Sequence, residues 1–144
     1  MCMGLFYNNI KMSSRKHWMF LLFAAFISLV ACEEKILPET VIGNAAKNYY
    51  DYLINKHFDK FADGFYQPES IPSSYRKQLI LNAEMFYHQQ QADHKGIKRV
   101  TVSSVEADTA RHVADVFLIL HYGNGKSEQV VVPMEEHHNK WYMH

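Results

Sequence analysis

Chemistry in a small chain is first sought in its histidines, and eight of them lie beyond residue 31. A metal site needs ligands that converge, as in His-x-His, HExxH or a Cys-His set. None of these spacings occurs. His137 and His138 are neighbours, and neighbours in extended chain point to opposite sides. His88 and His94 flank a polar run, Gln89-Gln90-Gln91-Ala92-Asp93, and read as surface residues. No metal and no cofactor is therefore expected. An acid/base pair is the next candidate. Asp115 and His121 share one face of a strand pattern, but six residues at ~3.3 Å each put them roughly 20 Å apart. That exceeds the reach of direct proton transfer. His112 and Asp115 fall on opposite faces. Asp115 beside Phe117 is left as the carboxylate that could enter a pocket, with Tyr49, Tyr66, Tyr75 and Trp141 as aromatic walls. No nucleophile elbow or phosphate loop is present, and no catalytic residue is assigned.

The residue with the clearest chemical role is Cys32. Lys11, Arg15 and Lys16 form a positive flank, followed by an uncharged run of thirteen residues from Trp18 to Val30. At about 1.5 Å per residue this helix would span roughly 20 Å, short of the ~30 Å hydrocarbon core. A basic flank, a short apolar run and a small residue describe a secretory signal peptide, residues 1–31. Leu29-Val30-Ala31-Cys32 resembles a bacterial lipobox. That resemblance implies cleavage before Cys32 and diacylation of its thiol. Two or more acyl chains anchor a protein stably, which removes the need for a spanning helix. Met12 would open a compact signal of its own, so the true start is expected there. The implied place is the bacterial cell envelope, at the outer membrane on its periplasmic side, with surface exposure as an alternative.

Once residues 1–31 are removed, 113 residues remain, with 12 basic and 15 acidic side chains and a net charge near −3. This length suits one domain with one core. No basic stripe points to nucleic acid. Cys32 is the one cysteine beyond residue 31, so stability must come from the core rather than a disulfide.

Residues 32–39 read as a lipidated tether, and 40–144 as the domain. Thr40 to Phe61 predicts a first helix: Ile42, Ala45, Ala46, Tyr49, Leu53, His57 and Phe61 recur at three- and four-residue steps. Thr40 is its expected cap, and Asp63-Gly64 its stop. Pro68 and Pro72 exclude helix between them. Ser73 or Ser74 would cap a second helix running to about Gln91, with Leu79, Ala83, Phe86 and Tyr87 inward. From Ile97 the period becomes two. Strands are predicted over Ile97–Ala107, Ala110–Tyr122, Ser127–Met134 and Lys140–His144, with Gly123-Asn124-Gly125 as a hairpin. Both faces of the second strand turn apolar in its second half. A helix is expected to cover one, and a subunit partner or a pocket the other. Helices segregated from strands argue an α+β class.

The chain is similar to small bacterial lipoproteins with a cystatin-like fold, within the nuclear transport factor 2-like superfamily and in part labelled lumazine-binding-like. The residues carrying this are Tyr49-Tyr50-Asp51-Tyr52-Leu53, Phe61-Ala62-Asp63-Gly64-Phe65-Tyr66, Ile71-Pro72-Ser73-Ser74-Tyr75-Arg76, Lys95-Gly96-Ile97, Tyr122-Gly123-Asn124-Gly125, and Pro133-Met134 with Lys140-Trp141-Tyr142-Met143. The resemblance implies a cone-shaped sheet around the first helix with a cavity at its open end. It implies no activity, because such folds host enzymes, binding modules and scaffolds alike. The expected function is a membrane-anchored, non-enzymatic accessory domain for a small hydrophobic ligand or an envelope protein, with homodimerisation compatible. The alternative is an isomerase or dehydratase using a polar residue in the cone.

Overall fold

A computed structural model describes residues 37–67 and 72–144. Cys32 and the signal stretch lie outside the described residues. The order is α1 (Pro38–Ile54), α2 (Phe58–Ala62), α3 (Ser73–His94), then β1 (Ile97–Asp108), β2 (Val113–Tyr122), β3 (Ser127–His137) and β4 (Lys140–Met143). The fold is α+β, with helices followed by a curved, unclosed antiparallel sheet in the order β1-β2-β3-β4.

The first helical pattern divides in two. Pro38 takes the first position of α1, where its missing N–H costs nothing. The cap residue is Leu37, with no side-chain hydrogen bond, so Thr40 lies inside the helix and does not cap it. The helix stops at Ile54 because Lys56 adopts a positive φ of 62°. The Asn55 side chain donates to the Asp51 carbonyl at 2.8 Å and competes with helix continuation. The break turns α2 back, and Phe61 meets Tyr50 and Phe65 edge-to-face. His57, expected inward, is exposed.

Ile42, Ala46, Tyr49 and Leu53 form the buried stripe of α1. It packs on Val100 of β1, on Ala114, Val116, Leu118 and Leu120 of β2, and on Val132, Met134, Trp141 and Met143 of β3 and β4. Alternation along β2 is clean: even positions are buried beneath the helix, and odd ones face outward. α3 is longer than its pattern, ending at His94 with Lys95 in the left-handed region. Its cap is Pro72, without a side-chain bond. Only Ala83 of this helix is buried, and Phe86, expected inward, is 37% exposed. A bidentate Arg76–Asp63 pair at 2.8 and 2.9 Å and an edge contact from Phe58 to Tyr87 hold it against α2.

β1 carries a register shift between Val102 and Ser104. The extra residue reverses the alternation beyond it. Val105 therefore joins Val100 and Val102 on the helix side, and Ser104 faces outward opposite Phe117. A strict period of two from Ile97 would have put Ser104 on the side of Val100, and the extra residue overturns that. The β1–β2 turn is longer than expected. Asp108 Oδ1 accepts from the amides of Ala110 and Arg111, both at 3.1 Å, so β2 starts at Val113. β3 runs three residues past Met134, and Pro133 lies beyond the stretch that pairs with β4. His138 and Asn139, at φ 52° and 60°, form the tight turn into β4. The chain after α2 adds one parallel bridge, Phe65 to Met143, at the far edge of the sheet.

Candidate functional site

The side chains singled out from sequence occupy different parts of the domain. Tyr49 and Trp141 are both buried, and the Tyr49 hydroxyl donates to the Trp141 carbonyl at 2.8 Å. They form a pin between α1 and β4 inside the core. Asp115 and Phe117 project from the outer face of β2, away from the helix. Asp115 is exposed and Phe117 half-buried. Tyr75 is 52% exposed in the first turn of α3. These residues therefore do not converge on one interior pocket. Period two already separated Asp115 from the buried face of β2; the reading that joined them to Tyr49 and Trp141 ignored that separation.

Tyr66 belongs to a cluster that sequence reasoning missed. It stacks on His137 with ring centroids 3.3 Å apart and planes 2° from parallel, and Tyr142 lies 5.7 Å away on the same side. His137 Nε2 sits 2.9 Å from Glu135 Oε1, close enough for an ion pair on protonation but not aligned as a hydrogen bond. Lys140 Nζ lies 4.6 Å from the Tyr142 ring centre. The i, i+2 spacing of Glu135 and His137, with Tyr142 alternating against Trp141, was the available signal. The strand predicted to end at Met134 stops short of both residues, whereas β3 runs on to His137. Among the described residues, no three metal-ligating side chains gather in a cluster.

The outer sheet face can be written as rows across β1, β2 and β3. Arg99–His121–Ser127 is at one end, then Thr101–Ile119–Gln129, Ser104–Phe117–Val131, Glu106–Asp115–Pro133, and Asp108–Val113–Glu135. The His121 ring joins three strands, 3.0 Å from Thr101 Oγ1 and 3.1 Å from Ser127 Oγ. The middle of the face is apolar. Val131 is 51% exposed and stands opposite half-buried Phe117, with half-buried Ile119 beside them; Val113, 39% exposed, lies apart, beyond the Asp115 row. An antiparallel sheet with one wet face ordinarily alternates polar outward. Here the central outward residues are apolar.

Among the described residues, the surroundings of Tyr49, Tyr50 and Tyr122 hold their phenols above the ordinary value. Burial pushes Tyr50 and Tyr49 up, with neighbouring Tyr142 and Tyr52 adding to the effect on Tyr49. Tyr122 is pushed up to about 12, first by burial and then by its 2.7 Å hydrogen bond to Glu128. The folded chain then retains protons that the unfolded chain releases above its ordinary value of 10.0. The contribution of Tyr122 to stability is complete below pH 10 and is lost as pH rises toward 12. Tyr122→Phe is expected to lose about 1 kcal/mol at neutral pH and to show a shallower alkaline decline. Urea unfolding between neutral and alkaline pH measures both.

Comparison with solved structures bears on the fold. The domain resembles a Campylobacter jejuni protein described as an NTF2-like transpeptidase, with a TM-score of 0.58 and 12% identity over 69% of this chain and 94% of that one. It also matches a SEC-C motif-containing protein from Rhodopseudomonas palustris, with a TM-score of 0.45 and 12% identity over 69% of this chain and 71% of the other. No family model and no curated protein matches the sequence. At 12% identity the first likeness speaks for the architecture alone: an NTF2-like α+β cone.

Proposed function

We propose that this chain is a membrane-anchored, non-enzymatic binding domain of the bacterial cell envelope, held by a lipid on Cys32. Its contact surface is the outer sheet face, and the occupant is a second copy of the chain. The observation that carries this is the apolar centre of that face, where Phe117 is paired with Val131 and flanked by Ile119 on its own strand and by Pro133 on the next, with Asp115 at the margin. The charges favour self-recognition. Arg99 stands at one end of β1 and Glu106 and Asp108 toward the other, with Ser104 midway. A two-fold axis running across the strands lays Phe117 on Phe117 and brings Arg99 of one copy over the Glu106–Asp108 end of the other. Such self-complementarity is what a two-fold interface needs. The lipobox-like Leu29-Val30-Ala31-Cys32 supports the anchor.

Light scattering on the mature chain carrying Cys32→Ser tests the surface. A dimer is expected, and Phe117→Asp and Val131→Asp should each give a monomer with unchanged circular dichroism. A wild-type monomer at every concentration, or a dimer indifferent to both substitutions, would sink the idea.

The isomerase or dehydratase reading has one observation in its favour, the His137–Glu135 pair beside the rings of Tyr66 and Tyr142. Its signature would be deuterium incorporation from heavy water into a carbonyl compound, lost in His137→Gln.

A further inference from the structure

We infer that the first turns of α1 form a second contact surface, one that seats the domain on a lipid bilayer. This rests on the reading of Cys32 as the lipid-bearing residue. Leu37 and Val41 are 61% and 49% exposed, although both are large and apolar. At 100° per residue they share one stripe with Asn44, Ala45 and Asn48. Ile42, Ala46 and Tyr49 point the other way, into the core. No charged residue stands on the stripe between positions 37 and 48: Glu39 falls on the opposite side of the helix and Lys47 off to one flank, pairing with Asp51, where the stripe becomes charged one turn further on.

The occupant follows from where the chain goes next. Five bonds along the sequence separate Cys32 from Leu37, a reach of at most about 18 Å. That is comparable with the radius of a domain of this size. An anchored chain therefore holds Leu37 and Val41 close to the lipid interface at high effective concentration. Short apolar side chains on an uncharged stripe are what an interface accepts. The tether then acts as more than a leash, because it selects which side of the domain meets the membrane.

The mature chain offers a clean test, since its one thiol is blocked by lipid. Leu37→Cys and Val41→Cys can each be labelled singly with an environment-sensitive fluorophore, with Gln89→Cys on exposed α3 as the control. The lipidated proteins are reconstituted in vesicles of phosphatidylethanolamine and phosphatidylglycerol, and the lipid on Cys32 is verified by mass. A several-fold rise in emission with a blue shift is expected at positions 37 and 41 and none at 89. Water-like emission at 37 and 41 in a chain of verified diacylated mass overturns this inference and leaves the anchor standing. An N-terminus without lipid overturns both.

Discussion

Tyr49→Ala is expected to cost the domain about 3–5 kcal/mol, the range for losing a large buried aromatic. Total stabilities of about 5–15 kcal/mol make that a large share. Two losses combine here. The ring leaves the middle of the core, and the Trp141 carbonyl loses the hydroxyl that reaches it from α1. Tyr49→Phe removes only the second, so about 1–3 kcal/mol is expected of it. The ring also explains Gly64. A Cβ there would lie 2.5 Å from Cδ1 and 2.7 Å from Cε1 of Tyr49. Because its hydroxyl is bonded to β4, the ring cannot swing aside without losing that bond. Gly64→Ala should accordingly destabilise by about 2–3 kcal/mol through overpacking. In the double variant the obstacle is gone, and the combined loss should fall short of the sum by at least about 1 kcal/mol. Urea unfolding of the four proteins completes the cycle. Strict additivity would refute the contact.

Gly123→Ala is the second large effect, at about 2–3 kcal/mol. The new Cβ would stand 2.4 Å from the Lys95 carbonyl oxygen, a backbone atom that no rotamer change can move. At the same place the Gly123 amide donates to the Gly96 carbonyl at 2.8 Å, and the Asn124 amide to the His94 carbonyl at 3.0 Å. The β2–β3 hairpin is thus bonded to the junction between α3 and β1. The substitution should loosen both elements together, seen as faster amide exchange at Gly123 and Asn124. Gly125→Ala is the contrast. It has open space around it and a φ of 83°, so only the backbone cost of about 1 kcal/mol is expected. Equal losses at the two glycines would mean that the close approach to Lys95 is unimportant.

How much of this was legible in the residues varies by element. Alternation sorted the residues of β2 into two faces and put Trp141 with Met143, but with both faces of β2 apolar in its second half it did not say which one the helix covers. The break at Lys56 was not legible. Tyr52, Leu53, His57 and Phe61 continue a helical rhythm across it, and a positive φ at lysine has no sequence signature as strong as glycine's. The extra residue in β1 was hidden for a related reason: Ser103 and Ser104 are both small and polar, so either could face water. The candidate site suffered from a different gap. The pattern separated inward from outward residues on each strand, but it could not say that Tyr66 would return to lie beside β4, since that depends on a single long-range bridge. The cluster with His137 became visible only once that segment was placed.

The Tyr49–Trp141 hydrogen bond joins residues 92 positions apart, and the chain from Gly64 to Tyr66 is bonded to Met143 in both directions. During synthesis the first helix and the segment after it are therefore made long before their partners exist. Contacts of such sequence separation form late, after the cost of closing the loop has been met. Until β4 arrives, the aromatic face of α1 has nothing to close on, and the chain remains open. The place of β4 after all the other strands thus sets an order of assembly, in which the core is completed by the element of the domain that is made last.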